Sequence, residues 1–170
     1  MVTYRIWVKS SAIEAGTVGW GAIIQTSFGD TWEIAEQVPD GEHQTPMRST
    51  LHAVVNALSM LPQPGAVQIY TDVQYIALGF TDCLDRWIRR GWKKPGGKAV
   101  AHHDLWKQIA CESARHQLAV DWTPLGSEAR RALELVQLSR EEGQRIFIRH
   151  NTDMPPGPGL SASLPDNDQR

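Results

Sequence analysis

The stretch QIYTDVQY, residues 68–75, decides the fold. It completes an alternating apolar run, AVQIYT (66–71), which reads as a β-strand, and leads into VQYIALGF (73–80), which has the apolar spacing of a short helix. Asp72 therefore stands where a strand of a parallel sheet would end, the place where α/β folds keep functional side chains. Two roles are open to it: a chemical group, or the cap of the following helix, since Asp is a favoured N-cap. One carboxylate does little hydrolysis alone, so the neighbours that the fold gives it decide what it can do.

Working outward, TYRIWVK (3–9) alternates Tyr4, Ile6 and Val8 as a half-buried strand would, and GWGAIIQT and TWEIAEQ flank a tight SFGD turn as a hairpin. A helix is expected after Thr45, a capping residue followed by Pro46 at the first helical position, with Leu51, Val54, Val55 and Leu58 on one face. HHDLWKQIACESAR reads as a helix, QLAVDWT as a strand, and a last helix runs from Ser127 to about Gly143. The order predicts an α/β fold: a five-stranded mixed sheet, three antiparallel strands and then two parallel ones, flanked by helices. Residues 1–150 form the expected domain, and 151–170, Pro/Gly-rich and poor in large apolar groups, a disordered tail. No internal repeat is visible.

With 170 residues and 41% apolar content, one domain with a real core is expected. The chain has no apolar run long enough to span a bilayer and an N-terminus unlike a signal peptide, so a cytoplasmic protein without membrane contacts is expected. Cys83 and Cys111 lack metal-site spacing and are expected to be reduced thiols. The net charge of −2 hides an asymmetry: residues 1–85 hold 3 Lys/Arg and 9 Asp/Glu, whereas residues 86–170 hold 14 and 10. In the basic half, RWIRRGWKKPGGK (86–98) gathers six Lys/Arg and no acid around Trp87 and Trp92. It is either a solvated face with tryptophans turned inward or a nucleic-acid-binding patch.

The element order, TDVQY on the fourth strand, RRGWKK after it and DLW further on together resemble the type 1 ribonuclease H family. By this resemblance the chain aligns without a gap from about Arg48 to Gly143, and more loosely through GWGAII. The implied fold is ribonuclease H-like. The implied site is four carboxylates holding two Mg²⁺ ions, which cut the RNA strand of an RNA/DNA hybrid. Two hard cations held about 4 Å apart need several anionic oxygens, so the count of carboxylates is the test.

Position by position, the first-strand Asp of the family falls at Lys9, the helix Glu at Thr50 and the last-helix Asp at Val136; only Asp72 keeps its carboxylate. The loop in which the family carries a catalytic His is TPLGSEA here, without a His, and the family's minor-groove Asn pair is Pro46 and Met47. What persists is Gln74, a base-edge contact in the family, and the basic handle: Trp87, Arg89, Arg90, Trp92, Lys93, Lys94 and Lys98. Lys9 is expected to pair with Asp72 where the family puts its metal. The expected protein binds duplex nucleic acid, whether RNA/DNA hybrid, double-stranded DNA or double-stranded RNA, through the handle without cutting it and without a cofactor.

Two other functions stay open. One is a working Mg²⁺- or Mn²⁺-dependent ribonuclease H with relocated ligands, for which Glu14, Glu134 and Asp104 are the candidates. The other is a protein-interaction module with the C-terminal tail as a tether to a protein partner. His102 and His103 are adjacent on a helix start and diverge too far to share a metal ion. Trp7, Trp20, Trp32, Trp106 and Trp122 are expected in the core or at its boundary.

Overall fold

The computed structural model describes residues 1–11, 18–38, 45–123 and 126–150. Strands β1 (Val2–Ser10), β2 (Gly19–Thr26) and β3 (Thr31–Gln37) form an antiparallel meander, followed by helix α1 (Pro46–Ser59) and strand β4 (Gly65–Thr71). After β4 come the short helix α2 (Gln74–Leu78), a π-helical turn (Gly79–Cys83), α3 (Leu84–Arg89), α4 (His103–Ser113), β5 (Gln117–Trp122), α5 (Ser127–Glu142) and β6 (Ile146–His150). The sheet order is β5-β4-β1-β2-β3-β6, with β4 parallel to both β1 and β5.

Among the described residues the sheet thus has six strands, one more than expected. β6 is the addition; it pairs antiparallel with β3, Thr31 opposite His150 and Ala35 opposite Ile146. The expected helices and the five other strands are present. Residues 151–170, the expected tail, lie outside the described residues.

Strand periodicity explains the layers. Tyr4, Ile6 and Val8 of β1 and Val67, Ile69 and Thr71 of β4 are buried on one face, and the apolar ones share a core with residues of α1, α2 and α4. β2 is buried almost throughout because α1 covers one side and α5 the other. α1 starts as its sequence dictates: the Thr45 hydroxyl accepts from the Arg48 amide at 3.2 Å, and Pro46 occupies the first turn. Trp106 of α4 is fully buried at the centre of the helical layer, met edge-on by Phe80 at 5.4 Å and Trp87 at 5.2 Å between ring centroids.

Gly21 is where α5 comes closest to the sheet. A Cβ built there would lie 2.4 Å from the carbonyl oxygen of Ala132, so only glycine lets the helix approach so near. No helix among the described residues is long and apolar enough to cross a membrane.

Candidate functional site

The parallel ladder between β1 and β4 runs in constant register, from Val2 opposite Gly65 to Trp7 opposite Tyr70. Two residues further on, Lys9 faces Asp72, and the Lys9 ammonium donates to the Asp72 carboxylate. Both side chains are mostly covered, Lys9 15% and Asp72 26% exposed. Coulomb attraction between such groups is stronger than in open water, and each would be costly to leave alone. Asp72 does not cap α2: the cap residue is Val73, whose amide donates to the Thr71 hydroxyl at 3.1 Å. The Asp72 backbone oxygen accepts from the Trp122 indole at 3.3 Å.

The other positions that the resemblance assigns to carboxylates hold no charge. Thr50 is fully buried, and its hydroxyl donates back to the Pro46 carbonyl at 2.8 Å, within its own helix. Val136, 1% exposed, belongs to the small apolar cluster between α5 and the sheet, with Ile23, Ala35 and Leu135. Among the described residues no three His, Cys, Asp or Glu side chains gather in a way that could hold a metal ion. A carboxylate already neutralised by an ammonium does not by itself fit a pair of divalent cations.

The candidate substitute ligands are engaged elsewhere or undescribed. Asp104 takes a two-pronged contact from the Arg48 guanidinium, at 2.6 and 3.1 Å, and this partner holds its carboxyl down at about 2. Glu134 lies on the solvent side of α5, 3.3 Å from Arg131. Glu14 lies outside the described residues. A carboxylate that the sequence reading passed over, Glu128 in the first turn of α5, lines a cleft of about 230 Å³ together with Asp72, Trp7, Tyr70 and Thr123. Its signal was an acid at a helix start, a common placement with many purely structural causes.

The handle is a compact projection. Beyond α3 the chain turns through Gly91 and Trp92, both left-handed, and the Trp92 amide donates to the Trp87 carbonyl at 2.8 Å. Lys94, Pro95, Gly96 and Gly97 then form a turn closed by the Gly97 amide on the Lys94 carbonyl at 3.0 Å, with proline second and a positive-φ glycine third. Lys93 bridges to Ala99 across its base, and Val100, buried, anchors the return. Arg89, Arg90, Lys93, Lys94 and Lys98 are all exposed, as is Gln74 at the start of α2. Trp87 and Trp92 are half-buried with their rings packed on the core. They brace the cations from beneath.

His103 donates from Nδ1 to the Val100 carbonyl at 3.1 Å, whereas the His102 ring lies 3.5 Å from the Arg48 guanidinium, so the two rings do serve different neighbours. Of the five other tryptophans, Trp20, Trp32 and Trp106 are buried and Trp7 is half-buried, but Trp122 is 60% exposed. β5 is an edge strand whose outer positions have no layer above them, so its periodicity did not reveal burial.

Comparison with known proteins bears on the fold and the family. The sequence pattern of the RNase H family matches residues 6–125. A ribonuclease H of Thiobacillus denitrificans is 36% identical over 107 residues, 63% of this chain and 70% of that protein. Among solved structures, a type 1 RNase H with the type 2 active-site motif superposes with a TM-score of 0.72 at 18% identity, covering 88% of this chain and 78% of the other. A foamy viral protease-reverse transcriptase in complex with RNA/DNA hybrid matches with a TM-score of 0.56 at 16% identity over 82% of this chain and 19% of its own.

Proposed function

The chain belongs to the ribonuclease H family, and from that premise we propose that it binds duplex nucleic acid, RNA/DNA hybrid foremost, without cleaving it. The ion pair between Lys9 and Asp72 carries this proposal. An ammonium stands where the family resemblance puts the metal ions, and it neutralises the one carboxylate kept among the four positions that the resemblance assigns. Thr50 and Val136 add no oxygen ligand that faces the same point, since one hydroxyl is spent on its own helix and the other side chain is apolar. Among the described residues, hydrolysis by two metals finds no ligand set.

Binding needs less. Affinity for a duplex comes chiefly from cations that neutralise phosphates. Arg89, Arg90, Lys93, Lys94 and Lys98 present them at the end of α3 and on the turn that follows, and the exposed Gln74 at the start of α2 offers an amide to base edges. Trp87 and Trp92, half-buried against the core, anchor this segment.

The test is a fluorescence-anisotropy titration of a labelled 16-base-pair RNA/DNA hybrid in EDTA. Binding is expected without any divalent ion, and the Arg89→Ala, Arg90→Ala double variant should bind at least about tenfold more weakly. Equal affinity of the double variant would refute the handle's role, and a strict need for Mg²⁺ would refute the metal-free site.

A further inference from the structure

Among the described residues, half of one face of the sheet carries no helix. α5 packs against β1, β2 and β3, and α1 and α4 lie on the opposite face, so β4 and β5 carry no helix on the α5 side among the described residues. The side chains of β1 and β4 that alternate away from the core emerge there. Trp7 and Tyr70 stack face to face, their ring centroids 5.1 Å apart and their planes 18° off parallel. The Arg5 guanidinium stands 5.8 Å from the Trp7 ring centroid.

Beside Tyr70 the small side chains of Ala66 and Ala119 leave a hollow of about 630 Å³. That is the size of an ordinary small-ligand site. Its polar lining is made of amides and hydroxyls, Gln25, Gln68 and Gln117 among them, with Arg5 as its single charged group. The half of the sequence that supplies most of this surface is otherwise acidic, 9 Asp/Glu against 3 Lys/Arg over residues 1–85. Asp121, which accepts from the Gln68 amide at 3.0 Å, is exposed and does not line the hollow.

We propose that this open half of the sheet is a second nucleic-acid site, which takes one or two unstacked bases of a single strand against Tyr70 with an adjacent phosphate on Arg5. A base has a π face that an aromatic ring on a sheet can receive, and edge donors and acceptors that side-chain amides match. Bases inside a duplex are already stacked and cannot enter, so the site selects single strands. It lies on the face of the sheet opposite the helical layer into which Trp87 packs, so duplex and single strand would occupy separate surfaces. Family membership is all that it shares with the duplex proposal.

The experiment is an anisotropy titration of labelled 12-mers of oligo(dT) and oligo(U) with the full chain. Tyr70→Ala should weaken binding about tenfold, the loss of one base stack, whereas Tyr70→Phe should stay within about twofold of the parent. Arg5→Ala, at an exposed position, should weaken binding and lower the salt slope by about 0.7, one single-strand phosphate contact. The Arg89→Ala, Arg90→Ala variant should bind the 12-mers as the parent does while losing the duplex. The proposal fails if the parent binds neither 12-mer, if Tyr70→Ala and Arg5→Ala bind as tightly as the parent, or if the handle variant alone loses single-strand binding. An extended peptide that protects the β5 amides from exchange, with no effect of either 12-mer, would make the face a protein-docking surface instead.

Discussion

Lys9 and Asp72 share a site from which neither can be removed without stranding the other. Lys9→Ala leaves a mostly covered carboxylate without its cation, and Asp72→Asn leaves the ammonium without its counter-charge. Each should cost about 1–3 kcal/mol, and the double variant should cost less than the two together by about 1 kcal/mol or more. Urea denaturation of the four proteins measures this directly, and strict additivity would mean that the two groups do not interact. The sequence pointed to this contact through the family resemblance, which sets positions 9 and 72 at one site, and the parallel register of β1 and β4 accounts for it. Tyr4, Ile6 and Val8, set against Val67, Ile69 and Thr71, leave little freedom in register, and extending it by two residues brings positions 9 and 72 together. The Arg48 pair with Asp104 could not be read so, since it depends on how two helices cross. It has its own signature in acid. Arg48 holds the Asp104 carboxyl at about 2, below its ordinary value, so the stabilisation is complete above pH 4 or so and is lost as the pH falls through that value towards 2. The Asp104 side chain is half-exposed, so the effect is modest, and Arg48→Ala should flatten this acid limb of the stability curve.

At the scale of elements, α5 is held by its packing against the sheet. Val136 is turned into the apolar seam between α5 and β2, beside Gly19 and Gly21. Restoring an acid there, Val136→Asp, should bury a charge without a partner and cost about 3 kcal/mol or more in thermal or urea unfolding, instead of creating a metal ligand. Gly21→Ala should destabilise by about 1–3 kcal/mol, because its Cβ meets the rigid backbone of α5. Near-parental stability of either variant would contradict this packing. Periodicity and capping made most elements legible: α1 begins at its Thr45 and Pro46 signals, and α5 ends at a left-handed Gly143. β6 was missed because five residues, IFIRH, become a strand only by pairing with the distant edge of β3. Glu33, bound by Arg131 of α5 at 3.0 Å and facing His150 of β6 at 3.5 Å, ties that corner together, and nothing local announces it. Trp122, expected in the core or at its boundary, is exposed for a related reason: a tryptophan's side of an element follows from the layer above it, which local sequence does not state.

Across the whole molecule, charge is divided more clearly than function. An acidic first half supplies the sheet's leading strands, and the basic segment 86–98 is lifted off the helical layer on a turn braced by two half-buried tryptophans. Such a layout predicts strongly salt-dependent duplex binding, with Arg89→Ala and Arg90→Ala together lowering the slope of log affinity against log salt by about 2. The most direct measurement is cleavage of a labelled RNA/DNA hybrid in Mg²⁺ and in Mn²⁺ at protein concentrations that saturate binding, with Asp72→Asn alongside. Intact RNA in every lane, with the hybrid bound, is the result predicted by the proposal that rests on the Lys9–Asp72 pair. RNA cut by the parent and spared by Asp72→Asn would mean that the carboxylate still holds a metal, and would contradict it.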